Sequence, residues 1–321
     1  MHSRAVQGLA SLCFSLGITL HADTPLPELA PSVRSVFPMG ASAGETVEVS
    51  FLGRHLNDLI EIGFARKDIH AEILTSDDFT AKARISIGPN VPVGLHDYRL
   101  RTPRGTYVGV FHVASMRAQR EVEPNNDLPH AQPIVLPALI DGVVERADYD
   151  VFRFHAESGQ NLVFDLLATR AGSRLDGTLG ILDSRGNELD FNDDYYIHKD
   201  PHLEFHVPAS GDYAIRVAGT NEAGSKDSVY QLIAGAAPYA WRLLPAGARR
   251  GAVNELRIAG LNLEKIDRLV LGESVVEGKV ISTRPDEIAF RMSVPSSVTP
   301  GRYELHAFSG KTEAPLTIPI L

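Results

Sequence analysis

Asp148-Tyr149-Asp150-Val151-Phe152-Arg153-Phe154 (DYDVFRF) opens with two acids and closes with apolar and polar residues in alternation. Side chains point to opposite faces at successive positions of a strand, so Phe152 and Phe154 share one face while Arg153 takes the other. Branched and aromatic residues suit such a pleated, half-buried surface. The same pattern recurs in Thr46-Val47-Glu48-Val49-Ser50-Phe51, Leu162-Val163-Phe164-Asp165-Leu166, Leu203-Glu204-Phe205-His206-Val207 and Tyr213-Ala214-Ile215-Arg216-Val217. Gly, Pro, Asn and Asp separate these runs, and few segments show helical periodicity. The fold class is therefore all-β, built of antiparallel β-sandwiches.

A repeat divides the chain. Pro38, Gly40, Ala41, Gly44, Gly53 and Leu56 return 207 residues later as Pro245, Gly247, Ala248, Gly251, Gly260 and Leu263, and Ile87, Val91 and Gly94 return as Val294, Val298 and Gly301. Nine matches in one ungapped register give an order A, B, A′: a domain over 32–115, a central domain over 116–236, and a second copy of the first over 237–321. The start of the chain reads differently. Basic Met1-His2-Ser3-Arg4 precedes an apolar run from Ala5 to Leu20, the pattern of a signal peptide over 1–22 cut after Ala22. The run is short for a bilayer span, and no later segment is apolar enough to serve as one. Leu12 before Cys13 fits a lipoprotein cleavage site poorly.

Cys13 is the one cysteine, so the expected mature chain has no disulfide, no thiol nucleophile and no thiolate metal site. The net charge is −9, and residues 121–236 hold 20 acids against 8 bases while the rest of the chain holds 20 against 23. The excess acid thus belongs to the central domain. Such a surface repels phosphate backbones, which argues against a nucleic-acid partner, and it attracts divalent cations.

The acids are most concentrated in Glu121-Val122-Glu123-Pro124-Asn125-Asn126-Asp127. In extended backbone Glu121 and Glu123 point to one side, and Pro124 stiffens the turn that carries Asn125 and Asn126 round. Asp148 and Asp150 likewise share a face as their strand begins. Two such faces would repel each other without a cation between them, and Ca2+ takes carboxylate and amide oxygens of this kind. The metal ligands read from the sequence are Glu121, Glu123, Asn125, Asn126, Asp148 and Asp150. The alternative is a solvated linker turn capped by Asn and Asp.

Two family resemblances add to this. Phe37-Pro38-Met39-Gly40 through Gly53-Arg54-His55-Leu56, with the closing Val-x-x-Gly turns before Tyr98 and Tyr303, resembles the immunoglobulin-like IPT/TIG domains, which space other domains or mediate contacts. In the central domain, Glu-Pro-Asn-Asn, DYDVFRF, Leu175-Asp176-Gly177-Thr178-Leu179-Gly180-Ile181-Leu182-Asp183, Asn192-Asp193-Asp194 and Gly211-Asp212-Tyr213 follow in order. This series resembles the bacterial pre-peptidase C-terminal (PPC) domain. The resemblance implies a noncatalytic, jelly-roll-like sandwich carried on secreted proteins, often proteases. It also implies a calcium site, as in collagen-binding relatives, on the six residues named above. Asn126 stands where some relatives have Asp.

No Gly-x-Ser-x-Gly elbow, His-Glu-x-x-His, P-loop or dinucleotide turn is present. His198, His202 and His206 fall on a strand pattern in which His202, Glu204 and His206 face outward, as an exposed polar face or a zinc or copper site. Asn192-Asp193-Asp194 reads as a polar loop or a second cation site. Tyr195 and Tyr196 follow it and are the candidate ligand-binding pair, able to stack on a sugar ring or grip a peptide. Tyr213 and Tyr230 read as core, and Tyr239 and Trp241 as packing between domains. The chain thus reads as a secreted, noncatalytic adhesion or presentation protein at the cell surface, with Ca2+ as cofactor and a protein or polysaccharide as partner. The alternatives are an accessory subunit of a secreted hydrolase and a carbohydrate-binding module.

Overall fold

The computed structural model describes residues 30–195, 198–271, 276–301, 303, 305–309 and 312–314. The expected signal peptide, Cys13 and Tyr196 lie outside the described residues.

Strands account for nearly all of the regular structure, as the period-two runs require. The first sandwich pairs a sheet of β1 (Ser32–Phe37), β3 (Thr46–Arg54), β6 (Thr80–Ile87) and β5 (Ile69–Ser76), in that order, with a sheet of β2 (Gly40–Ser42), β8 (Gly105–Ala114), β7 (Gly94–Thr102) and β4 (Glu61–Phe64). Alternate residues of facing strands, among them Phe51, Ile85, Tyr98, Leu100 and Phe111, fill the space between.

The central sandwich has two five-stranded sheets. One orders β10 (Gln132–Pro133), β12 (Tyr149–Ala156), β17 (Gly211–Gly219), β14 (Gly177–Asp183) and β15 (Glu188–Asn192); the other orders β16 (His202–His206), β13 (Asn161–Leu167), β18 (Val229–Gly235), β11 (Ala138–Val143) and β9 (Gln119–Arg120). Phe152, Phe154, Phe164, Leu179, Ile215 and Tyr230 are buried between them. Strand β9 runs parallel to β11, with Ile140 opposite Gln119 and Asp141 opposite Arg120. The segment leaving the first sandwich is therefore fastened to the edge of the second.

The third unit is a single seven-stranded sheet ordered β19 (Tyr239–Leu244), β20 (Ala252–Leu261), β23 (Glu287–Val294), β22 (Val276–Thr283), β21 (Arg268–Leu271), β24 (Leu305–Ser309) and β25 (Thr312–Ala314). It encloses Leu256, Ile258, Leu269, Phe290 and Met292. The offset of 207 carries β4, β5 and β6 onto β21, β22 and β23 residue for residue. Register shifts also coincide: Val33/Ser35 with Ala240/Arg242, and Ile73/Thr75 with Val280/Ser282. The repeated glycine has a steric reason in both copies, since a Cβ on Gly53 would lie 1.9 Å from the Ser32 carbonyl oxygen and one on Gly260 would lie 2.1 Å from that of Tyr239. One pairing differs. Strand β21 bonds to β22 along its length, whereas β4 and β5 stay in separate sheets.

Contacts between sandwiches are specific. Met39, Phe37 and Val110 of the first pack on Leu167, Ala171 and Val229 of the second. Beside them His112 Nδ1 lies 2.6 Å from Gln231 Oε1, both residues buried. At the other junction Asn262 Nδ2 donates to the Asn161 carbonyl at 3.0 Å.

Candidate metal centre

The site forms where the connector from β9 crosses the edge of the central sandwich. The Glu121 N–H donates to the Asp141 carbonyl at 3.0 Å, and the Val151 N–H donates to the Asn125 carbonyl at 3.0 Å. These two bonds hold the 121–125 segment against β11 at one end and β12 at the other. Glu123, before a cis Pro124, turns its carboxylate back to accept from the Asn125 N–H at 3.0 Å. The turn carries Asn125 into the interior, where it is fully buried.

Glu121, Glu123 and Asp150 converge, each offering an oxygen within 4.8 Å of the others. Asp150 has the strand parity of Phe152 and Phe154, so it faces inward and has no exposed surface. Tyr230, whose ring belongs to the core, sends its hydroxyl to the same point. That hydroxyl donates to Asp150 Oδ2 at 2.7 Å, with Glu121 Oε2 as a second acceptor at 3.1 Å. Glu121 Oε1 accepts from the Val143 N–H at 2.8 Å. Gly142 makes the approach possible, because a Cβ there would lie 2.4 Å from Glu121 Oε2 and 2.3 Å from the Tyr230 hydroxyl oxygen.

No Lys or Arg among the described residues forms an ion pair with these three acids. The cost of burying like charges without a counterion falls on proton affinity. Burial, and then the negative charge of Glu121, push the Asp150 carboxyl up to about 9. Burial also raises Glu121 and Glu123 above the usual carboxylate range. In the metal-free protein the Glu121 and Asp150 pair therefore holds a proton near neutrality.

Asn125 Oδ1 and Nδ2 and Asp150 Oδ1 are buried with no hydrogen-bond partner. Buried polar atoms are normally satisfied; a cation would satisfy the two oxygens, Asn125 Oδ1 and Asp150 Oδ1, but not the donor Asn125 Nδ2. The converging donor set is three carboxylates, hard oxygens with no nitrogen or sulfur among them, which suits Ca2+ better than Zn2+. The residues present fit the ion.

Two of the six expected ligands, Asn126 and Asp148, pair with each other; Asp148 is not one of the three converging acids, although its charge helps to raise Glu123 and Asp150. Asn126 is exposed and its Nδ2 donates to Asp148 Oδ1 at 2.9 Å, while Asp148 Oδ2 accepts from the Glu145 N–H at 3.1 Å. Asp148 immediately precedes β12, which begins at Tyr149, and Ala147 before it has a positive φ of 57°. Asp193 and Asp194 join no comparable group of acids among the described residues.

The aromatic and histidine expectations also change. His202 does face away from the central core, but it is only 4% exposed. Tyr239 of the third unit stacks on it, ring centroids 4.0 Å apart. Its Nδ1 lies 3.2 Å from Asp165 Oδ1, so the exposed polar face expected of this strand holds for Glu204 and His206 alone. Tyr195 is half-buried against both rings, 4.8 Å from His202 and 6.3 Å from Tyr239. Tyr239 packs between domains as expected, and Trp241 is 44% exposed. The sequence reading missed Tyr230 as a site residue, since a hydroxyl on a core ring leaves no mark in the pattern. It also missed the ion cluster of Asp165, Arg170 and Asp200 beside His202.

The family model described as the bacterial pre-peptidase C-terminal domain matches residues 148–219, which run from the start of β12 through β17. The central sandwich thus carries a PPC domain over that span. Among curated proteins, a probable subtilase-type serine protease of Deinococcus radiodurans is 29% identical over 172 residues, covering 43% of this chain and 23% of the relative. The match accordingly spans under a quarter of that protein's length. Among solved structures, the pre-peptidase C-terminal domain of the Bacillus anthracis collagenase is 20% identical, with a TM-score of 0.27 over 32% of this chain and 93% of its own. The SGBP-B protein of a Bacteroides ovatus mixed-linkage glucan utilization locus, solved with a heptasaccharide, is 13% identical, with a TM-score of 0.20 over 87% of this chain and 38% of its own. At TM-scores this low neither structural likeness bears on function.

Proposed function

We propose that this chain is an exported, noncatalytic binding protein whose PPC domain is stabilised by Ca2+ and which presents its surfaces to a protein or polysaccharide ligand. The observation that carries the calcium reading is the convergence of Glu121, Glu123 and Asp150 with no Lys or Arg among the described residues paired to them; the buried, unpartnered Asn125 Oδ1 of the same turn is read as a fourth ligand. Those four residues would hold the ion, with Asn126 and Asp148 at its rim. The bound ion supplies charge neutralisation in a buried, like-charged pocket. The chain's own part is positional: Glu121 and Glu123 belong to the connector from the first sandwich, and Asp150 belongs to β12 of the second. Joining them fixes how the first sandwich sits on the second. The domain limits are read as 32–115, 116–236 and 237–321, with IPT/TIG-like flanks.

The PPC match and the subtilase relative support a second reading, in which the chain serves as an accessory part of a secreted hydrolase. Co-purification with a peptidase would favour it.

The test of the first reading is thermal unfolding in chelator and in rising calcium, for the wild type and for Glu121→Gln with Asp150→Asn. A ligand that binds only the folded state adds about 2.7 kcal/mol at 100 Kd. A calcium-dependent rise in the wild type that the double variant lacks is expected. Superimposable wild-type curves with and without calcium would sink the reading.

A further inference from the structure

A cleft of about 650 Å³ opens where the three sandwiches meet. That volume falls within the roughly 300–1,000 Å³ of small-ligand sites, which favour junctions between domains. Leu95 comes from β7 of the first sandwich, Asp165 and Arg170 from the central one, and Tyr239 from β19 of the third, with Tyr195 and His198 from the connection between β15 and β16.

Rings of Tyr195 and Tyr239 line the cleft, steadied by their packing on buried His202. The polar lining is equally fixed. Arg170 Nε donates to Asp200 Oδ2 at 2.8 Å, and its Nη2 donates to Asp165 Oδ2 at 2.8 Å and to the Leu166 carbonyl at 2.7 Å. Nη1 takes part in none of these bonds. Asp200 also accepts from the Ala168, Thr169 and Arg170 N–H groups, so the guanidinium is anchored before any ligand arrives.

Charge decides the class of ligand. An anion would meet the carboxylate of Asp165, with that of buried Asp200 behind it, and a cation would have to displace a guanidinium already paired to both. A wholly apolar molecule would cover fixed polar groups without satisfying them. A sugar suits all three conditions, with hydroxyls that donate and accept at its edge and a C–H face that packs on an aromatic ring. We infer that the cleft binds a short, uncharged segment of a polysaccharide. The inference rests on the reading of this chain as a ligand-presenting protein and is independent of calcium.

Affinity electrophoresis of the full chain through gels containing neutral β-glucan, xylan or galactomannan tests it, with polygalacturonate and denatured collagen as the charged and peptide comparisons. Tyr239→Ala removes a lining ring, and Leu95→Trp fills the cleft from an exposed position on the opposite sandwich. At least one neutral polysaccharide is expected to retard the wild type. Both variants should weaken that binding by about tenfold or more, and Leu95→Trp should do so with its unfolding midpoint unchanged. Retardation that neither substitution weakens would overturn the inference, as would binding to polygalacturonate or collagen alone, or to nothing. Retained, Leu95-sensitive retardation in a protein whose midpoint ignores calcium would refute the metal reading and leave this one standing.

Discussion

Asp150 and Asp200 are both aspartates with almost no exposed surface, in the same sandwich, and their surroundings answer the same problem in opposite ways. Asp200 accepts hydrogen bonds from three backbone N–H groups and from Thr169 Oγ1, and an ion pair with Arg170 at 2.8 Å completes it. Arg170 also reaches Asp165. Burial alone would raise Asp165, but the hydrogen bond to His202 and the charge of Arg170 outweigh it and hold the carboxyl below its usual range. Asp150 has a tyrosine hydroxyl, a second acid beside it and an oxygen with no partner at all. One cluster carries its cation in the sequence. The other, among the described residues, has no Lys or Arg paired to its acids.

The comparison is broken most severely by removing the internal cation. Arg170→Met leaves Asp165 and Asp200 buried without their counterion and should cost about 3–5 kcal/mol by urea denaturation, equally in chelator and in calcium. A loss that calcium repairs would show that the two clusters are not independent.

Next in size is Glu121→Gln with Asp150→Asn. Near neutrality the pair already holds one proton, so the double substitution removes the one buried charge it retains, and in chelator the variant should be more stable than the wild type, by about 1–3 kcal/mol. In calcium the order should reverse. Chemical denaturation under the two conditions measures both signs.

Proton linkage sharpens the contrast further. The folded-state values of about 9 for Asp150 and about 7 for Asp141 lie above the ordinary 3.8. Between those values the folded chain holds protons that the unfolded chain has released. Stability therefore falls as pH rises, by at most about 1.4 kcal/mol per unit for each group. In chelator the denaturation midpoint should drop from pH 5 to pH 8, and saturating calcium should remove the share of Asp150. Asp165 behaves in the opposite sense, since its contribution is present at neutral pH and is lost only in acid, as pH falls through its lowered folded value. A flat profile in chelator would contradict the uncompensated state of Asp150.

The smallest effect is expected for Asp148→Ala. This residue caps the Glu145 N–H and pairs with Asn126 at the surface, so the loss should be about 0.5–1 kcal/mol with the calcium-induced shift intact. Abolition of the shift would bring Asp148 into the ligand set.

The sequence made legible whatever depends on period and spacing. Alternation located the strands, and the offset of 207 anticipated two copies whose bulges coincide. The acidic group of Glu121, Glu123 and Asp150 was legible because its members fall in a short run and at a strand start. The difference between Asp150, buried within β12, and Asp148, just before the strand begins, was not, because two acids at alternate positions look alike in the sequence. Tyr230 was hidden by its own ring, which satisfies every criterion of a core residue. His202 was placed on the correct side of its strand, yet the period of one sandwich cannot show that a neighbour will dock there. Arg170 and Asp200 stand 30 residues apart in no motif, and only the fold brings them together.

Strand β9 gives the junction a mechanical character. A loose tether passes tension from one domain to the next without involving either interior. Here the backbone of Gln119, Arg120 and Glu121 is stitched to β11, so a pull on the first sandwich enters the second through its sheet edge. The last residue of that stitch, Glu121, and Glu123 two residues on are acids of the candidate metal centre, which places the chemistry of the site directly in the path of force.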